Sequence, residues 1–162
     1  MSEIIIQTLL AAGGTMGFCV LFHVPIRHIP VCGIIGGCAW GLYQLIILNN
    51  ASSPVMATFM AAALVGLLSD LASRIIKEAA TIFIIPGILP LVPGAYIFYA
   101  MQALVRNDMM DTSTYLTDTI KLAAAIALGL LAVGAVTKSL REITKKTADA
   151  VLESVETFKD NK

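Results

Sequence analysis

The sequence predicts an all-α integral membrane protein of five transmembrane segments, the fourth broken at Pro-Gly-Ile-Leu-Pro-Leu-Val-Pro-Gly, followed by a C-terminal cytoplasmic amphipathic helix. Three observations predict it. Of 162 residues, 57% are hydrophobic and only 14% charged, and the mean hydropathy of +0.83 lies outside the range of ordinary soluble domains. Apolar runs close to the ~20 residues that cross a bilayer recur at 4–22, 31–48, 55–73, 79–105 and 120–137. Residues 86–94 put three prolines and two glycines in the middle of the fourth run. The chain therefore divides into a membrane domain, 1–137, and a polar tail, 138–162.

The first run follows Met1-Ser2-Glu3 with no basic n-region and no convincing cleavage site, so it reads as a retained span and not a signal peptide. The second carries Gly33, Gly37 and Gly41 at spacing four, a small-residue stripe that lets another helix approach closely. Gly13 with Gly17, and Ala125 with Gly129, repeat the pattern more weakly. Near the end of the third, Asp70 lies one turn before Arg74 on the same face. An ionisable residue inside a span is costly and so a candidate for ion coupling, here of a proton. The bland alternative is an ion pair that anchors the helix end at the interface.

As one straight helix, 79–105 would run about 40 Å, against roughly 30 Å of hydrocarbon. Each interior proline costs roughly 3 kcal/mol in a helix, so three of them rule out a continuous one. Open backbone at membrane depth survives only where protein surrounds it or where it lines a wet cavity. Pro86, Gly87, Pro90, Pro93 and Gly94 are therefore candidates for a solute site. If a half-helix starts at Gly94, the amides of Gly94, Ala95, Tyr96 and Ile97 and the positive end of its dipole would favour a carboxylate. Tyr99 and Gln102 follow closely, and Gln44, Thr81 and Ser69 are further polar side chains within apolar runs.

A polar loop is expected at 106–119, and then the fifth span. Beyond Lys138, Leu140, Ile143, Val151, Val155 and Phe158 recur at roughly helical spacing, which predicts the amphipathic tail helix. If odd-numbered loops face the cytoplasm, nine of the eleven basic residues lie inside and only Arg106 and Lys121 outside. This places the N-terminus out and the C-terminus in.

Eleven basic and eleven acidic residues sum to zero charge, which suggests no nucleic-acid partner. Cys19, Cys32 and Cys38 lie in apolar runs without ligand spacing, and His23 and His28 have no nearby carboxylate in sequence, so neither a disulfide framework, a metal site nor a cofactor is expected. The cysteines read as small buried hydrophobes. No metalloprotease, nucleophile-elbow, P-loop or dinucleotide motif occurs, so the chain is not expected to be an enzyme.

Thr81-Ile82-Phe83-Ile84-Ile85-Pro86-Gly87-Ile88-Leu89-Pro90-Leu91-Val92-Pro93-Gly94 resembles the signature of the threonine/serine exporter family, in its five-span small-subunit form. Val24-Pro25-Ile26-Arg27 before the glycine-rich span with Trp40 and Tyr43, and Ala63-Leu64-Val65-Gly66-Leu67-Leu68 before Arg74, carry the likeness through most of the membrane region. It departs at Ala79-Ala80, where the family often has a proline before its Thr-x-Phe element. The resemblance implies a C-terminal-half-like unit of a ten-span exporter, completed by a separate large subunit in a bacterial-type inner membrane. It implies export of threonine and serine, or of related small carboxylates, driven by the proton motive force. The alternative is a membrane scaffold for a partner that transports alone, and a homo-oligomer is a further option.

Overall fold

In the computed structural model, residues 2–49 and 53–160 are described, with side chains described for 3–49 and 53–139. Every regular element among them is helical: α1 (Ser2–Leu21), α2 (Ile29–Leu48), α3 (Pro54–Ile76), α4 (Thr81–Ile88), α5 (Gly94–Val105) and α6 (Met109–Asp160), with 3₁₀ turns at Ile26–His28 and Leu89–Leu91. Among the described residues four helices are long and apolar enough to cross a membrane, and the bent pair Thr81–Leu91 and Gly94–Val105 makes a fifth crossing if counted as one span.

Local chemistry sets the ends. After α1, the Val24 N–H bonds the Cys19 carbonyl at 2.9 Å and the His23 N–H bonds that of Val20 at 3.1 Å, with His23 at φ 54°. This is a Schellman closure with a left-handed residue past the helix end. Asn107, at φ 58°, closes α5 in the same way, through Asp108 N–H to Ala103 O and Asn107 N–H to Leu104 O, both 3.0 Å. Ser53 caps α3, accepting from the Met56 N–H, with Pro54 in the first turn where its missing donor costs nothing.

Helix α2 lies at the centre, packed on α1, α3 and α4, while α6 packs on α3 and α5. Phe83, Val65, Cys19, Cys32 and Ile35 form the heart of the core. With lipid as apolar as leucine, close packing must hold such helices together, and small residues permit it. A Cβ at Gly37 would lie 3.1 Å from that of Ala12, one at Gly41 would lie 3.3 Å from the Thr8 hydroxyl, and Gly33 faces Met16 and Ala12. Gly36, outside the predicted stripe, takes the buried Thr15 against it. Around Gly13 and Gly17 no atom lies within 4 Å of such a Cβ.

One expectation is corrected. The stretch 106–119 is not a loop: helix begins at Met109, and only a tight turn separates it from α5. Asp108 Oδ1 accepts from the Asp111 N–H at 3.1 Å as the cap. The hydroxyls of Thr112, Thr114, Thr117 and Thr119 each donate to the carbonyl four residues back, at 2.6 to 3.0 Å. These hydroxyls satisfy themselves on their own helix, so polarity there does not mark the absence of helix. The helix then runs past residue 137 without a break, 52 residues and so about 78 Å in all. The side chains of Leu140, Ile143, Val151, Val155 and Phe158, on which the amphipathic tail was predicted, lie outside the described residues.

Candidate functional site

The break in the fourth span follows from which amides proline deletes. In a continuous helix the N–H of residue 90 would bond the Pro86 carbonyl and that of residue 93 the Leu89 carbonyl, but both donors are missing. Leu89 N–H bonds Pro86 O instead, and Val92 N–H bonds Leu89 O at 3.2 Å, which tightens the chain into the 3₁₀ turn. Val92, ahead of a proline, is extended at φ −62° and ψ 129°. Pro93 then sits at φ −76° and ψ 53° in an inverse γ-turn, with Gly94 N–H donating to Val92 O at 2.7 Å. The two helical halves meet at 51°.

The third proline, Pro86, orphans the Ile82 carbonyl inside α4. The Cys32 thiol from α2 donates to that oxygen at 3.7 Å, a weak sulfur hydrogen bond from a fully buried residue. Cys32 is thus more than a filler: it repairs the backbone that Pro86 opens. Cys32→Ala should lower stability by about 1 kcal/mol by leaving a part-buried carbonyl unpaired, and Cys32→Ser should recover most of it, as read by thermal unfolding in detergent.

The second half of the break lines a cavity of about 150 Å³. Pro90, Leu91, Val92, Pro93, Gly94, Ala95 and Tyr96 form one wall, faced by Trp40 and Tyr43 from α2, Thr58 from α3 and Leu122 from α6. The Trp40 and Tyr43 rings stack at 5.3 Å and 29°. Thr58 is buried and donates to Pro54 O at 2.8 Å, which leaves its oxygen able to accept. A more open cleft of about 310 Å³ shares Trp40 and Pro90 and adds Gln7, Leu10 and Ala11. Gln44 donates to Gln7 beside it, joining α2 to α1.

The predicted site residues separate into groups. Pro90, Pro93, Gly94, Ala95 and Tyr96 share the cavity, but the expectation of four unengaged amides is corrected. Gly94 N–H is held in the γ-turn and Ile97 N–H bonds Pro93 O at 3.2 Å, leaving those of Ala95 and Tyr96 without a carbonyl one turn back in the helix. Pro86 faces a different cavity, of about 270 Å³, with His23, Pro25 and Thr81 near the α1–α2 turn. Gly87 is a packing position, where a Cβ would lie 3.0 Å from both Ile35 Cγ2 and Val65 Cγ1. Tyr99 and Gln102 line a small cleft at the other end of α5.

Asp70 accepts from Arg74 Nε at 2.8 Å, and this pair lines none of these cavities. Near the same end, His28 Nε2 lies 3.8 Å from Glu78 Oε1, joining the α1–α2 turn to the α3–α4 turn. Thr58 and Leu122 carry no sequence signal that would mark them as lining residues, because tertiary packing brings them there. Trp40 and Tyr43 do carry one, since aromatic residues three apart share a helix face.

Such a cavity offers an aromatic surface and a hydroxyl acceptor to a small solute that is part apolar and part polar, with the first turn of α5 on its wall. Residues 7–136 match the family model described as Threonine/Serine exporter, ThrE. The match takes in every wall of the cavity and ends short of the tail. No solved structure gives a significant match to the chain.

Proposed function

This chain belongs to the threonine/serine exporter family, and from that premise we propose that it is one subunit of a secondary transporter whose solute meets the broken fourth span. The observation that carries the reading is the 51° break, whose second half walls a cavity with Trp40, Tyr43 and Thr58. Broken helices at membrane depth are where many secondary transporters hold their solutes. The substrate is threonine, serine or a related small carboxylate, its carboxylate met by the Ala95 and Tyr96 amides and its side chain by the aromatic pair.

At about 150 Å³ the cavity has half the volume at the lower end of ordinary small-molecule sites, roughly 300 Å³. A large subunit, laid against this wall, would complete it. An odd number of spans reverses a second copy of the unit, which is the arithmetic of an inverted repeat. The complex sits in a bacterial-type inner membrane with the N-terminus of this chain outside and the C-terminus in the cytoplasm, as its basic residues favour.

A zwitterion carries no net charge, so the membrane potential, about 2.3 kcal/mol per charge per 100 mV, drives its export only through a coupled ion. We assign that ion as a proton and Asp70, with Arg74 beside it, as the coupling group. In liposomes holding this chain with its large-subunit neighbour, labelled threonine or succinate flux should rise severalfold under a pH gradient. Asp70→Asn should keep exchange but lose the response. Absent flux, or flux indifferent to the gradient in the unmodified protein, overturns the reading.

A further inference from the structure

At the α5–α6 turn, Tyr99, Gln102, Arg106, Asp108, Asp111 and Tyr115 surround a cleft of about 100 Å³, separate from the cavity at the break. Its wall is mostly polar, whereas the walls of the other cavities are mostly apolar. Asp108 is committed to capping α6 through the Asp111 N–H, so the α6 N-terminus is already closed to an outside anion. Arg106 and Asp111 both line this cleft, and neither makes an ion pair among the described residues. The Tyr99 and Tyr115 rings flank them, 5.7 Å apart and tilted by 40°.

Opposite charges held apart in one cleft discriminate by charge pattern. A lone anion there meets two carboxylates, and a lone cation meets Arg106. A molecule with an ammonium and a carboxylate on one carbon answers both. We propose that this cleft is a second solute site, binding zwitterionic α-amino acids by their charged head. The carboxylate pairs with Arg106, the planar donor fork suited to it, and the ammonium pairs with Asp111. A cleft of about 100 Å³ open on one side seats the charged head and leaves the side chain at its mouth. The site therefore selects the class and not the side chain: serine, alanine and threonine should bind within a few-fold of one another. It stands at the opposite end of the broken span from His28, Glu78 and the Asp70–Arg74 pair, where a solute leaving or entering the break would pass.

The test is equilibrium binding of radiolabelled threonine to the full chain in nanodiscs, in a Gly94→Leu background that blocks the break cavity. Binding should persist there, and Arg106→Gln and Asp111→Asn should each weaken it at least tenfold. 3-Hydroxybutyrate, which lacks the ammonium, should compete poorly, and better once Asp111 is Asn. No binding in that background, no loss in either variant, or equal competition by 3-hydroxybutyrate in the presence of Asp111 overturns the proposal. None of these results bears on the broken-span reading, which is judged by flux in liposomes with the large subunit.

Discussion

Gly94→Leu is expected to cut threonine flux by roughly 5- to 150-fold while leaving the protein folded and able to co-purify with the proposed large subunit. The range is that of a 1–3 kcal/mol steric penalty on the solute in a site already small. The fold should tolerate the change for three reasons. Gly94 does not need to be glycine for its backbone, since no glycine among the described residues has a positive φ. A Cβ there meets no atom within 4 Å. Leucine is also a better helix former than glycine, by up to about 1 kcal/mol, so the start of α5 gains. Leucine takes up open space beside a residue that lines the cavity.

Gly87 cannot serve for this experiment. Its Cβ alone would press on Ile35 and Val65 at 3.0 Å, and a loss of flux there would report a disturbed core. Flux measured beside co-purification of the large subunit separates the two functional readings. Intact assembly with lost flux is the signature of a solute site, whereas intact assembly with normal flux makes the break a scaffold and sinks the proposal.

The break itself was legible because its cause is chemical and local: a proline has no N–H wherever it sits, so the lost bonds can be counted along the chain. The five apolar runs were legible for a similar reason, length against bilayer thickness. What the chain alone could not show is which partners the open backbone finds. The Cys32 thiol reaches Ile82 O across fifty positions, and Thr58 and Leu122 arrive at the cavity only because α3 and α6 pack where they do. The stretch 106–119 misleads for another reason. Threonine in water-exposed sequence looks like loop, yet four threonines here return their hydroxyls to their own helix. Asp108 followed three residues on by Asp111 was the available signal of a helix start.

Gly129→Val should unfold or dissociate the bundle in detergent, whereas Gly134→Val on the same helix should leave the melting temperature within a few degrees of the parent. A Cβ at Gly129 would lie 2.6 Å from the Phe59 carbonyl oxygen, 3.1 Å from the Ala63 amide nitrogen and 3.0 Å from the Ala62 Cβ. Two of these are backbone atoms of α3, which cannot step aside without moving the whole helix. At Gly134 no atom lies within 4 Å. Helix propensity is the same at both positions and cancels in the comparison, so the difference isolates close approach. Overpacking of a single methyl costs about 1–3 kcal/mol, and valine adds two more carbons, so a loss above about 3 kcal/mol is expected. The consequence travels further than stability. Helix α6 is held to the bundle mainly by α3, α5 is held mainly by α6, and Leu122 of α6 closes the cavity opposite the break. Moving α6 outward therefore removes one wall of the cavity at the break and the support of the half-helix that begins at Gly94. Equal behaviour of the two valine variants would show that α3 and α6 do not meet this closely, and that the cavity has some other wall.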